Sequence, residues 1–351
     1  MNSNTRATGI TRDPVFLEHL TDAGHPERPG RLAAIYRLLD QPEMKDRFHL
    51  IPPREADRDD ILLVHAPEHY DRLAATAQRD FTALTPDTFA SRGSFRAALS
   101  AAGSVCRAAS LVVDGTLANA FALVRPPGHH AEKSRAMGYC LFNNVAVGAR
   151  FARERLRLDR VLIVDWDLHH GNGSQHLFEQ DPSVLFFSVH QNRLFPQTGD
   201  FREIGRGRGE GFTINIPLPK GCGDGEYITL FETILRPAAL KFQPDLILVS
   251  AGFDAHRDDS MGGMRLTEAG YAGLTRSLLE IAAAVCRGRL VLVLEGGYHD
   301  ASLAGSVKAV LDELSGQTRA DIEALGRQGD PGKLQPLHKK VREVHNRLWG
   351  F

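Results

Sequence analysis

The sequence predicts a doubly wound α/β domain, a parallel sheet covered by helices on both faces. Short β-branched and leucine-rich runs alternate with longer Ala/Leu/Arg segments of helical period, the pattern of βαβ units. Those runs are apolar throughout rather than alternating with polar residues, as strands buried on both faces must be. No Pro/Ser-rich linker and no period of 20–50 residues divides the chain, so one domain accommodates its 351 residues.

In chain order, a helix is expected at 94–113 and a strand at 120–124, then a helix at 143–156 and strands at 160–164, 184–189 and 212–216. A helix at 225–241 leads to a strand at 246–250, a helix at 267–287, a strand at 290–294 and a helix at 302–314. Each helix has apolar residues at i, i+3, i+4 spacing. Segments 77–87, 192–211 (with its GRGRGEG run) and 220–225 are expected to be loops. From 317 onward the chain reads as a charged helical extension packed on the domain of residues 1–316. Its Trp349 and Phe351 suit either packing or a homo-oligomer contact.

Composition narrows the function. The chain is 42% hydrophobic and 24% charged, which suits a folded core rather than disorder. Lys and Arg number 42 against 43 Asp and Glu, a formal charge of −1, so no basic excess is available to neutralise phosphates and a nucleic-acid partner is not expected. Cys106, Cys140, Cys222 and Cys286 form no C-x-x-C pair or small disulfide framework, which fits the reducing cytoplasm. The N-terminal MNSNTRATGITRDP has no apolar leader and no apolar run approaches a bilayer span, so neither export nor membrane insertion is expected.

In an open parallel sheet, ligands sit beyond the carboxyl ends of the strands. Reading those ends gives RPPGHH with His129 and His130, DWDLHHGNG with Asp165, Asp167, His169 and His170, AGFDAHRDD with Asp254, and EGGYH with Glu295 and Tyr298. In an extended segment, Asp165, Asp167 and His169 share one side while Trp166 and Leu168 face the other. Adding Asp254 makes two carboxylates and an imidazole, a ligand set that leaves a coordination position open, as in catalytic Zn²⁺ sites. The same donors tolerate Fe²⁺, Mn²⁺ or Co²⁺. Taken alone, Asp254 reads equally well as a helix N-cap. As a set, several carboxylates and four histidines near apolar strands require charge pairing or a cation.

Adjacent His129 and His130 would diverge in an extended loop, and both reach one site only if the stiff Arg125-Pro126-Pro127-Gly128 segment carries them across its mouth. A neutral histidine there can take a proton from water, and Asp165 is the carboxylate placed to fix one ring's tautomer. Tyr298, after a Gly-Gly turn, could donate to an oxyanion; without such neighbours it would read as structural. There is no G-x-S-x-G, H-E-x-x-H or G-x-x-x-x-G-K-[ST] motif, which leaves metal-assisted hydrolysis of a carbonyl compound.

From GHPERPGRL at Gly24 through RPPGHHAEKSRAMGYCLFNN, VDWDLHHGNG, FSVHQ, LFPQTGD and SAGFDAHRDDSMGG to LEGGYH, the chain resembles the zinc-dependent histone deacetylase superfamily, in its class II-like bacterial form. The resemblance implies the arginase-deacetylase fold, a single domain around a mostly parallel eight-stranded sheet flanked by helices. It implies removal of acetyl or longer acyl groups from the ε-amine of lysine in a protein or peptide, or, alternatively, hydrolysis of acetylated polyamines. By position, Asp167, His169 and Asp254 would bind one Zn²⁺ per chain, which with Tyr298 polarises the acyl carbonyl. His130 would be the general base and acid, and His129, paired with Asp165, would orient and stabilise. Gly138, Tyr139 and Phe195 would line the acyl-lysine tunnel. A structural K⁺ would be held by Asp165, Ser188 and Val189 with backbone of Asp167 and His169. Arg31, in Pro29-Gly30-Arg31-Leu32, matches an arginine near the product-release cavity, or makes a salt bridge on a helix surface.

Asn172 stands where class I members carry the aspartate that partners the second histidine, an exchange that lowers the basicity of His130 without abolishing catalysis. Met261, within Asp259-Ser260-Met261-Gly262, offers no charge to a cationic amine, so its apolar surface favours a neutral lysine stem. Gly171 occupies the place of the third ligand of a D-x-H-x-D pattern, which argues against two-metal ureohydrolase chemistry. Retention of His129, His130 and Tyr298 together argues against a non-catalytic acyl-lysine reader.

Overall fold

The structure is a computed structural model and describes residues 7–351. Residues 1–6, the start of the segment read as lacking an apolar leader, lie outside the described residues. Among the described residues ten strands are formed: β1 (Thr8–Thr11), β2 (His49–Ile51), β3 (Phe81–Thr85), β4 (Thr88–Ser91), β5 (Asn119–Ala122), β6 (Val161–Asp165), β7 (Val184–Gln191), β8 (Thr213–Leu218), β9 (Leu246–Ala251) and β10 (Leu290–Leu294). The helices are α1 (Pro29–Leu39), α2 (Arg58–Ile61), α3 (Pro67–Ala74), α4 (Ser94–Val113), α5 (Asn144–Glu154), α6 (Asn172–Phe178), α7 (Asp224–Leu230), α8 (Arg236–Phe242), α9 (Glu268–Val285), α10 (Asp300–Leu314), α11 (Ile322–Gly326) and α12 (Pro331–Trp349).

Eight strands form one sheet in the order β2-β1-β5-β10-β9-β6-β7-β8, and all of its pairings are parallel. Alternate residues of the central strands feed two separate cores. Leu162, Val164, Ile247 and Val249 join the layer of α9 and α10, whereas Val161, Ile163, Leu246 and Leu248 join that of α4 and α5. This two-sided burial explains why the strands read as unbroken apolar runs.

Two expectations need correction, and two strands escaped the sequence reading. Segment 77–87 is not simply a loop: a short 3₁₀ turn leads into the antiparallel ribbon β3–β4, whose turn carries Asp87. The ribbon stands outside the main sheet, and its strand β3 is only partly buried, so it lacks the apolar signature of the core strands. The short strands β1 and β2 were not legible from the residues either, since β2 exposes His49 and Leu50 at the sheet edge. The helix expected at 225–241 is split by a π-helical turn, Phe231–Leu235, between α7 and α8. Pro237 lacks an N–H and its ring crowds the carbonyl of Thr233, which the wider turn accommodates.

Among the described residues, one helix has bilayer-like length and hydropathy. α4 is 20 residues long and apolar, but most of it is buried inside the protein, where Ala98, Ala101, Ala102 and Val105 let it pack closely.

Candidate active site

Four neighbouring strands in the middle of the sheet, β5, β10, β9 and β6, deliver the four strand-end motifs that carry the acids, histidines and tyrosine read from the sequence. Their carboxyl ends lead into RPPGHH, EGGYH, AGFD and DWDLHH, so residues far apart in the chain meet over one stretch of sheet edge.

Asp167, His169 and Asp254 are buried, and a ligand atom from each lies within 4.8 Å of the others. The DWDLHH segment does not reach this arrangement by staying extended: β6 ends at Asp165, and the chain then bends. The bend is locked by side chains, with Asp167 N–H donating to Asp165 Oδ1 (3.1 Å) and His169 N–H donating to Asp167 Oδ1 (2.8 Å). Short acidic side chains that capture nearby amides favour such a turn. Asp254 caps no helix. Its Oδ1 accepts from Leu168 N–H (2.9 Å), and its Oδ2 lies 3.0 Å from His169 Nδ1. Glycines make the room: a Cβ on Gly252 would fall 1.9 Å from Asp167 Oδ2, and one on Gly296 would fall 2.5 Å from Asp254 Oδ2.

These donors fit a cation. Burial, with the Asp167 charge beside it, pushes the Asp254 carboxyl up to about 6. Burial opposes the His169 imidazolium, yet hydrogen bonds to Asp167 and Asp254 outweigh it and hold the ring's pKa near 10. Two buried carboxylates on one imidazole thus leave the cluster short of positive charge, which a divalent ion would supply. His170, in contrast, turns away to Thr198 Oγ1 (2.8 Å) and Gln175 Oε1 (2.9 Å).

The rings of His129 and His130 do not diverge. A turn places their centroids 4.0 Å apart at 45°. His129 Nδ1 lies 3.0 Å from Asp165 Oδ2, and His130 Nδ1 lies 2.8 Å from Asn172 Oδ1. Burial works against protonated His129, but Asp165 and Asp167 prevail and hold its pKa near 10. His130 goes the opposite way: burial, then the neighbouring His129 and His169, push it well below the ordinary histidine value. The pair therefore divides into a charge-holding ring and a neutral one.

Glu295 was noted at its strand end without a role. Its Oε2 accepts from the N–H groups of Gly128 (2.6 Å) and His129 (3.2 Å), which ties the histidine turn to the end of β10. Burial pushes its carboxyl up to about 7.

A cavity of about 160 Å³ opens above these residues, lined by His129, His130, Gly138, Tyr139, His169, Phe195, Met261 and Tyr298, and also by Asp87, Pro127, Cys140 and Gly296. Phe195 presents its edge relation to His130 at 5.0 Å, and Tyr139 lies 6.0 Å from Tyr298. Gly138 (φ +57°) is forced by crowding, since a Cβ would sit 2.4 Å from His130 Cδ2. The three residues that the resemblance assigns to the tunnel, Gly138, Tyr139 and Phe195, are thus brought together, and Met261, read as an apolar substrate contact, joins them on the cavity wall. Asp87 was missed because its ribbon is remote in sequence and carries no metal or histidine motif. Ser188 pairs in register with Asp165, next to Val189 on β7, but its Oγ lies 2.9 Å from His190 Nδ1.

Arg31 is not at a helix surface. Its guanidinium is buried and bonds Glu27 Oε1 (2.9 Å), Glu295 O (2.7 Å) and Gly297 O, and it lies 4.7 Å from the centre of the Tyr298 ring. Gly297 has φ +116°, a conformation that side-chain-bearing residues rarely adopt, so Gly-Gly forms the turn that presents Tyr298. The Tyr298 and His299 N–H groups both donate to Asp259 Oδ2, at 2.5 and 3.1 Å.

An eight-stranded parallel sheet that carries a buried Asp-His-Asp group beside a histidine pair defines the class, and comparison with known proteins gives the family. The histone deacetylase domain model matches residues 25–314, and the chain belongs to the histone deacetylase family. A probable deacetylase of Archaeoglobus fulgidus is 37% identical over 97% of this chain and 98% of its own length. Histone deacetylase 5 of Arabidopsis thaliana is 42% identical over 88% of this chain, but over 49% of its own length; this chain spans about half the length of several such relatives. The crystal structure of the HDA15 HD domain superposes with a TM-score of 0.91 at 38% identity, covering 98% of this chain and 96% of that one. The eight-stranded parallel sheet flanked by helices is therefore the arginase-deacetylase fold of this family.

Proposed function

We propose that this chain is a zinc-dependent deacylase that hydrolyses linear amides, with acyl-lysine side chains as the favoured substrates. The observation that carries this reading is the convergence, at the base of one narrow cavity, of the Asp167, His169 and Asp254 group with His130 and Tyr298. A Zn²⁺ held by those three residues would supply Lewis acidity to the acyl carbonyl and to attacking water. His130, held neutral by its surroundings, takes the proton from water at Nε2 and returns it to the leaving amine. His129, charged beside Asp165, would supply a fixed positive group to the charge that develops on the carbonyl oxygen. Tyr298, whose phenol burial holds protonated, donates to the carbonyl oxygen as it gains charge. A structural K⁺ at Asp165, Ser188 and Val189, with backbone of Asp167 and His169, belongs to the same reading, supported by the Asp165–Ser188 register.

Tyr139 and Phe195 would clasp an aliphatic stem, and Met261 adds apolar surface where a polyamine would need a carboxylate. Turnover by the zinc-loaded protein of an acetyl-lysine peptide, N8-acetylspermidine and a longer acyl-lysine peptide tests the proposal. Lysine activity lost in Tyr298→Phe supports it; preference for the polyamine would replace the substrate while keeping the chemistry; inactivity on all three would reject a hydrolase.

A further inference from the structure

Behind His130, a hydrogen-bonded chain continues past Asn172 to the protein surface. The Asn172 amide nitrogen lies 2.5 Å from Glu132 Oε1, 3.5 Å from the His130 carbonyl oxygen and 3.6 Å from Met137 Sδ. All three neighbours accept hydrogen bonds and none donates, so this end of the amide must be the NH₂ group. The oxygen then faces His130 Nδ1 at 2.8 Å and can only accept from it. His130 consequently carries its proton on Nδ1 and keeps the Nε2 lone pair free toward the cavity.

Glu132 is itself fixed. Its N–H donates to Arg135 O (2.9 Å), and its carbonyl oxygen lies 3.0 Å from His65 Nδ1. The same Oε1 that receives the Asn172 amide lies 2.8 Å from His176 Nδ1. The side chains of Glu132 and His176 are 19% and 40% exposed, so the chain ends at solvent.

We infer that Glu132 is a positioning residue for the proposed deacylase: by holding the Asn172 amide in one orientation it sets the tautomer of His130 that can accept a proton at Nε2, with His176 as its surface partner. An aspartate in place of Asn172 would need no such device, because both of its oxygens accept. An asparagine does, because a flipped amide would offer Nδ1 a donor and drive the proton to Nε2. The inference rests on the deacylase reading for its consequence in turnover, but not for the tautomer.

Kinetics and a spectroscopic measurement test it together. Glu132→Ala is expected to lower kcat about 10–100-fold, the range for losing an outer partner that orients a histidine, with KM little changed. Glu132→Gln, whose amide oxygen still accepts from Asn172, restores most of that loss. In an Asn172→Asp background, Glu132→Ala costs less than about twofold. Equal losses in both backgrounds, a loss confined to KM, or no loss would overturn the inference. Glu132→Leu, run in parallel, separates a packing defect at Ala from loss of the acceptor. Long-range ¹H–¹⁵N NMR on zinc-loaded and metal-free protein, with His130 signals assigned by their absence in His130→Ala, reads the tautomer directly. Nδ1–H in the wild type giving way to Nε2–H in Glu132→Ala supports the inference, and an unchanged tautomer refutes it. Should the wild type hydrolyse none of the amides, the deacylase reading fails while the NMR comparison still decides the role of Glu132.

Discussion

Tyr298 has a phenol that can donate only while it stays protonated and only where Arg31, Asp259 and Gly297 hold its loop. Tyr298→Phe removes the donor and leaves the ring, so kcat should fall about 10²–10³-fold, the cost of losing one oxyanion donor, with an unchanged melting temperature. Gly252 is a sharper probe of the metal site. Its substitution by alanine would drive a methyl group into Asp167, so Gly252→Ala should lose bound zinc, measured per chain by elemental analysis, while the far-ultraviolet circular dichroism keeps its native shape. Met261 tests selectivity: Met261→Glu places a carboxylate at the cavity wall and should raise the ratio of kcat/KM for N8-acetylspermidine over acetyl-lysine peptide by about tenfold, a single favourable charge contact.

At the scale of elements, the site is rigid because its residues follow the ends of buried strands rather than long excursions. The two helices after 316 stand apart from this. α12 is capped by Asp330, whose Oδ1 accepts from Gly332 N–H (2.8 Å), and is closed by Gly350 at φ +70°. Near its end, Trp349 donates to Gly211 O (2.9 Å) and meets the edges of Phe212 and Phe242 at 5.6 and 6.2 Å. Trp349→Ala should therefore destabilise the fold by about 3–5 kcal/mol, read from denaturant unfolding, while kcat/KM of the folded protein stays within about twofold.

For the whole molecule, acid stability depends on histidines held neutral inside it. Burial pushes His65 down from 6.5 to about 3, and its ring bridges the Glu132 carbonyl and the Asn143 N–H, which donates to Nε2 at 2.9 Å. Below pH 6.5 the unfolded chain binds a proton that the folded His65 refuses, so this contribution to stability is full above 6.5 and is lost as pH falls toward about 3. The melting temperature should fall over that window, and His65→Gln should flatten the slope even if it lowers the plateau. Equal slopes in the two proteins would remove His65 from the cause.

The sequence by itself determined the layered α/β fold, because strands buried on both faces must be apolar throughout. It also marked the chemical residues, because acids and histidines directly after such strands have few structural reasons to gather there. The central strands and the main helices, the Asp167, His169 and Asp254 group, and the partner Asp165 were legible in that way, whereas the place of Asn172 beside His130 came only from the resemblance to the family. The edge strand β2, the exposed ribbon carrying Asp87 and the π turn before Pro237 were not, since half-buried or locally strained segments leave no periodic trace. Only the tertiary structure decided that the DWDLHH segment bends, that His129 and His130 lie side by side, that Arg31 is buried under Tyr298, and that Glu132 and His176 extend the His130–Asn172 pair to solvent. Each of these depends on contacts between elements distant in the chain, whose geometry is set by how the sheet and helices pack and not by any local spacing.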